Sequence, residues 1–185
     1  MARTPSVMVP LGSEAPKFEL LDVKTDKSVK SEDLFGKKGT LIMFICNHCP
    51  FVKHVNQQIV QISKDYQNSG IKLIAISSND IINYPDDSPS EMKKVAIKEN
   101  FTFPYLYDET QTIAKNYDAA CTPDFFIFNS SNKLVYRGQL DDSRPGNNIT
   151  VTGGDIRNAL ESLINFEEIN PVQKPSIGCN IKWKN

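Results

Sequence analysis

One stretch limits the folds open to this chain more than any other. Gly39 to Cys46 (Gly-Thr-Leu-Ile-Met-Phe-Ile-Cys) is apolar almost throughout and runs straight into Cys46-Asn47-His48-Cys49-Pro50. A strand apolar on both faces needs cover on both faces, which is the situation of a central strand in a layered α/β sheet. Beyond Cys49, the residues Phe51, Val52, Val55, Ile59, Ile62 and Tyr66 recur at helical spacing, while Lys53, Asn56, Gln57, Lys64 and Asp65 fill the other face. The pattern predicts an amphipathic helix of about five turns, stopped at Asn68-Ser69-Gly70. Ile71 to Ser77 is strand-like again. Strand, helix and strand within roughly 40 residues make a right-handed crossover with parallel strands.

The remaining elements fit around this unit. Lys17 to Val23 reads as a strand, and Ser31-Glu32-Asp33 as the start of a short helix. Ser88-Pro89-Ser90-Glu91 carries a helix-start signature, with Ser88 as cap and Glu91 reaching back, for a helix running to about Glu99. Tyr105 to Asp108 is a short strand, Thr110 to Tyr117 a short helix, and Phe125 to Phe128 with Leu134 to Gly138 an antiparallel hairpin. Asp155 to Phe166 is a last helix, entered through Gly153-Gly154, and residues 167–185 are expected to form an irregular tail. At 185 residues, with no repeat and no linker, the chain reads as a single domain able to bury its own core without covalent staples.

Charge and cysteine usage narrow the chemistry. Charged residues are 23% of the chain and the net charge is −1, which favours neither nucleic acid nor an anionic membrane. The expected partners are ordinary proteins or small molecules. No stretch approaches the roughly 20 apolar residues of a membrane helix, and Met1 to Gly12 lacks the apolar core of a signal peptide, so the expectation is a cytoplasmic protein. Of four cysteines, Cys46 and Cys49 form C-x-x-C, while Cys121 and Cys179 stand far apart in sequence. In a reducing compartment this usage suggests redox or metal chemistry more than a disulfide framework.

A C-x-x-C between a buried strand and an amphipathic helix is the setting in which the motif reads as a redox dithiol. Residues three apart on a first helical turn share a face, with Cβ atoms about 5 to 6 Å apart, which small adjustments bring into disulfide range. Helix N-H groups and the dipole are expected to favour the Cys46 thiolate, making Cys46 the nucleophile and Cys49 the resolving thiol. His48, if cationic near Cys46, would favour that thiolate and make the couple more oxidising, with a potential above about −270 mV. The alternative for His48 is an exposed loop histidine with no electronic role. The spacing places His54 away from the dithiol.

The position of the C-x-x-C, the later Cys121-Thr122-Pro123, the opening Gly12-Ser13-Glu14-Ala15-Pro16-Lys17-Phe18-Glu19-Leu20 and the segments Tyr136 to Asp142 and Gly178 to Trp183 together resemble the thioredoxin-like superfamily. They resemble in particular its redoxin branch (alkyl hydroperoxide reductase/thiol-specific antioxidant), peroxiredoxin-like subgroup, from about Gly12 to Trp183. The resemblance implies a thioredoxin-like three-layer α/β/α fold with a central mixed sheet, an N-terminal strand extension and a C-terminal tail. It also implies that Pro123 is a cis-proline facing the dithiol and that Thr122 presents backbone to an extended substrate; a trans proline opening the Phe125 strand is the alternative. The activity implied is thiol-disulfide exchange through Cys46 and Cys49, with weak peroxiredoxin-like antioxidant activity. No cofactor is expected, and the electron donor would be a thioredoxin or glutathione system.

The chain also departs from its relatives. Thioredoxins proper have Trp just before the first cysteine and a buried acid six residues ahead of it, where this chain has Ile45 and Thr40. The peroxiredoxin pattern Pro-x-x-x-Thr-x-x-Cys fails as well, since Met43 holds the threonine position relative to Cys46 and Cys46 holds it relative to Cys49. Cys121 is read as a small buried apolar side chain close to the active-site rim, and Cys179 either as an additional resolving thiol brought back by the tail or as a thiol that pairs with another chain. Arg137, Asp141, Asp142 and Arg144 read as a solvated turn. Two other functions stay open: a copper or zinc module using Cys46 and Cys49 with His48, His54 or Cys179, and a redox-inactive binding domain using the Thr122-Pro123 edge.

Overall fold

The computed structural model describes residues 3–184. In chain order its strands are β1 (Arg3–Pro5), β2 (Glu19–Asp22), β3 (Lys27–Lys30), β4 (Gly39–Phe44), β5 (Ile71–Ser77), β6 (Tyr105–Tyr107), β7 (Cys121–Thr122), β8 (Asp124–Asn129), β9 (Leu134–Gly138) and β10 (Ile177–Asn180). The helices are α1 (Ser31–Leu34), α2 (Pro50–Asp65), α3 (Pro89–Lys98), α4 (Thr112–Asn116) and α5 (Gly154–Asn165). Seven strands form the main sheet in the order β3-β2-β6-β5-β4-β8-β9. At its centre β4 runs parallel to β5, from Gly39 opposite Ile71 to Phe44 opposite Ile76, and antiparallel to β8.

The period-2 alternation of β4 divides the core in two. Leu41, Met43 and Ile45 pack with Val52, Val55, Ile59 and Ile62 of α2, with Met92 and Ala96 of α3, and with Ile156 and Leu160 of α5. Ile42 and Phe44 face the other way, into Phe18, Phe126, Tyr117 and the α4 residues Ile113 and Ala114. Each fully buried side chain of this size contributes about 1.5–3 kcal/mol. Helices therefore cover both faces of a mixed sheet, and the fold is the expected three-layer α/β/α arrangement.

Three expectations are corrected. The helix after the motif begins at Pro50 with Cys49 as its N-cap, so Cys46 lies before the helix, in the connector that follows Phe44. Ser88 stands at the N-cap of α3 without making a side-chain cap; its Oγ meets Ser90 Oγ at 3.2 Å, and Glu91 pairs with Lys94 at 2.6 Å instead of reaching back. The tail is not irregular throughout. Within it, β10 is the middle strand of a second, three-stranded sheet, antiparallel to β1 on one side and to β7 on the other. Its sequence, Ile-Gly-Cys-Asn, has too few large apolar residues to signal a strand; partners on both edges hold it. Among the described residues no helix is long and apolar enough to cross a membrane.

Candidate active site

Four sulfur or hydroxyl groups from three separate segments meet at the start of α2. The Ile45 N-H bonds to the Ile76 carbonyl at 3.0 Å, extending the β4–β5 ladder one residue and fixing where the chain turns into Cys46. The Cys46 sulfur lies 3.3 Å from the Thr122 hydroxyl. Cys49 Sγ is 3.1 Å from the Thr122 carbonyl, to which its thiol can donate, and 3.0 Å from Cys179 Sγ. The Thr122-Pro123 bond is cis. All four cysteines are thiols, and both members of the dithiol are shielded, with Cys46 2% and Cys49 0% exposed.

The hydrogen bond between Cys46 and Cys49 drives their proton affinities apart. Cys46 is pushed well up, first by that bond, then by burial and by the nearby Asp87 charge. Cys49 is held at about 4 because it receives the Cys46 thiol and, against the cost of burial, the Cys179 thiol and the Val52 amide. The helix-end donor thus serves Cys49 rather than Cys46, lowering the proton affinity of Cys49 while that of Cys46 rises. The sequence expectation gave that donor to Cys46, whereas Cys49 rather than Cys46 occupies the cap.

The loop between the cysteines is anchored by a residue that gives no sign of itself in the sequence. Asp87, fully buried, sits in the 3-10 turn Pro85–Asp87. One carboxylate oxygen accepts the Asn47 N-H at 2.7 Å and the His48 N-H at 3.3 Å; the other accepts Asn79 Nδ2 at 2.7 Å and lies 2.6 Å from His48 Nδ1. Burial pushes this carboxyl up, but the bonds from His48, Asn79 and Asn47 outweigh it and hold it below its ordinary value. The His48 ring stacks on Tyr84 with centroids 5.3 Å apart, and the Tyr105 hydroxyl donates to Asn47 Oδ1 at 3.1 Å. His48 is therefore no solvated loop residue. Asn47 and His48 lie some forty positions from Asp87, a separation that no local pattern could reveal.

Cys46, His48 and Asp87 also bring one candidate metal-ligand atom each within 4.8 Å of one another. A closed zinc site takes four ligands, and neither Cys49, His54 nor Cys179 joins this group. His54 instead pairs its Nε2 with Ser143 Oγ at 2.7 Å. Of the ligands expected for a metal module, this group holds Cys46 and His48 and omits Cys49, His54 and Cys179.

The open edge expected at Thr122 and Pro123 is filled by the chain itself. β10 pairs with β7, with Cys179 opposite Thr122 and Asn180 opposite Cys121, and the Ser176 hydroxyl donates to the Pro123 carbonyl at 2.6 Å. Substrate backbone cannot take that edge while β10 stays. Cys46 instead borders a cavity of about 350 Å³ on its other side, lined among others by Val52, Lys53, Val95, Lys98 and Phe101. Cys121 is buried, and burial followed by the Asp124 charge raises its thiol far above its ordinary value. It fits a core role. The turn after β9 is likewise not simply solvated: buried Asp141 accepts the Thr152 and Gly153 N-H groups, each at 2.7 Å, at the entry to α5.

Comparison with known proteins agrees with this architecture. A crystal structure of an uncharacterized conserved protein from Geobacillus kaustophilus is 56% identical, with TM-score 0.98, covering 100% of this chain and 97% of the other. One of a hypothetical protein from Sinorhizobium meliloti is 38% identical, with TM-score 0.95, covering 98% of each chain. The thioredoxin domain of a thiol-disulfide oxidoreductase from Bacteroides vulgatus shares the fold at 18% identity and TM-score 0.66, over 85% of this chain and 99% of that one. No curated protein matches the chain. The model of the AhpC/TSA family matches residues 11–137. With that match over most of its length, and the thioredoxin-like sheet carrying the dithiol segment, the chain belongs to the AhpC/TSA family.

Proposed function

We propose that the protein is a thiol-disulfide oxidoreductase whose couple is Cys46 and Cys49, acting in the cytoplasm on protein or small-molecule disulfides and reset by a thioredoxin or glutathione system. The observation that carries this reading is the hydrogen-bonded pair at the head of α2, flanked by the hydroxyl and carbonyl of Thr122. In the resting pair Cys46 holds the proton and Cys49 the charge. As a substrate disulfide reaches Cys46 through the neighbouring cavity, the proton passes from Cys46 to Cys49. The Cys46 thiolate attacks one substrate sulfur, forming a mixed disulfide and releasing the other as a thiolate that takes up a proton. Cys49 then loses its proton and attacks Cys46, the mixed disulfide breaks, and the second product leaves as Cys46 and Cys49 become bridged.

Hydroperoxide reduction is a weak side activity in this reading. The Thr122 hydroxyl near Cys46 offers the kind of donor a peroxide needs, but the carboxylate charge of Asp87 raises the Cys46 thiol and opposes a thiolate and an oxyanion alike.

Steady-state reduction of insulin or an aromatic disulfide tests the proposal. Cys46→Ser is expected to abolish turnover, and Cys49→Ser to accumulate a mixed disulfide visible as an added mass. Wild-type protein that reduces neither substrate, together with a Cys49→Ser variant that traps nothing, would remove the assignment.

A further inference from the structure

We propose that Cys179 is a third redox thiol, which takes over the disulfide from the Cys46–Cys49 bridge to give Cys49–Cys179 and return Cys46 to the thiol state. The inference rests on the dithiol reading above and extends it. Three observations carry it. Cys179 Sγ already lies 3.0 Å from Cys49 Sγ, about 1 Å beyond a covalent sulfur-sulfur bond. The strand pairing that sets Cys179 opposite Thr122 fixes it beside Cys49, whose sulfur lies 3.1 Å from the carbonyl oxygen of that same Thr122. Cys179 is buried at 1% exposure, so the sulfur nearest to hand for exchange is Cys49 rather than one from another molecule.

The exchange is internally balanced. The Cys179 thiolate attacks the Cys49 sulfur of the Cys46–Cys49 bridge, the Cys49–Cys179 bond forms, the Cys46–Cys49 bond breaks, and Cys46 leaves as a thiolate that takes up the proton Cys179 gave up. Nothing is oxidised or reduced overall; the oxidising equivalent came from the substrate disulfide. In the reduced protein Cys179 is raised to about 12 by burial first and then by the hydrogen bond and charge of Cys49. The latter two causes disappear once Cys49 is bridged, while Lys182 continues to favour the thiolate. The new bridge would fasten β10 to the head of α2 and leave Cys46 ready to meet a second substrate.

Disulfide mapping of the full chain tests this. Reduced wild-type protein is treated with one equivalent of diamide, quenched with acid, alkylated, digested and sequenced by tandem mass spectrometry, alongside Cys46→Ser. The expected result is a peptide bridged through Cys49 and Cys179 in both proteins, with alkylated Cys46 appearing in the wild type. If the oxidised wild type holds only Cys46–Cys49, or if Cys179 is bridged to Cys46 instead, the assignment is overturned whatever the reductase activity. If the Cys49–Cys179 bridge forms but no disulfide substrate is reduced, the third thiol stands and the catalytic reading falls.

Discussion

Asp87 holds the segment between the two cysteines through both backbone N-H groups and the imidazole, while its charge works against ionisation of Cys46. Asp87→Asn therefore acts in two directions. Charge-assisted bonds worth roughly 1.5–3 kcal/mol are weakened, and the electrostatic opposition to the Cys46 thiolate is lifted. The expected outcome is a less stable protein whose Cys46 alkylates at lower pH, measured by iodoacetamide labelling against pH in a Cys49→Ser background, where a single thiol of the pair titrates. A midpoint that stays put or moves upward would contradict the role given to this carboxylate. The cysteines were legible in the sequence because C-x-x-C is a local signature. Which of them carries the charge was not, since that depends on one residue of helix register and on sulfur and carboxylate neighbours from residues 87 and 179.

Gly178 shows how tightly β10 is held. A Cβ there would lie 2.0 Å from the Thr122 carbonyl oxygen, a backbone atom that cannot swing aside. Gly178→Ala should push β10 off β7, costing roughly 1–3 kcal/mol and lowering the melting temperature by about 2–4 °C for each kcal/mol. Differential scanning calorimetry reads the loss, and hydrogen exchange at Cys121 and Thr122 reads where it falls; an unchanged melt with protected β7 amides would mean the strand is not packed as described. Elements with strong internal patterns were readable: β4, β5, α2 and the β8–β9 hairpin follow from alternation or helical spacing alone. β1, β7 and β10 were not, because each is two to four residues long and is defined only by pairing across distant parts of the chain.

Stability across pH brings the whole core into play through Asp124, at the head of β8 beside β4. Burial raises its carboxyl to about 8, against the pull of the Ala120, Cys121 and Phe125 N-H groups. Its Oδ1 has no hydrogen-bond partner among the described residues. Below about pH 4 the group is neutral in both folded and unfolded chains and costs nothing. Between about 4 and 8 the unfolded chain releases the proton while the folded one keeps it, so this group opposes folding by up to about 1.4 kcal/mol for each pH unit. Above about 8 both forms are ionised and the penalty is constant. Relative to the wild type, Asp124→Asn should gain stability progressively across that window in urea unfolding; a difference independent of pH would show that Asp124 is ionised in the folded state. The layered architecture itself was legible from one doubly apolar strand and the crossover that follows it, whereas the contribution of the two chain ends was not. Arg3 lies opposite Cys179 on β10, and Cys179 touches Cys49. The sulfurs are thus clasped through β1 and β10 together, so removing Arg3–Pro5 would loosen the strand that holds Cys179 against Cys49.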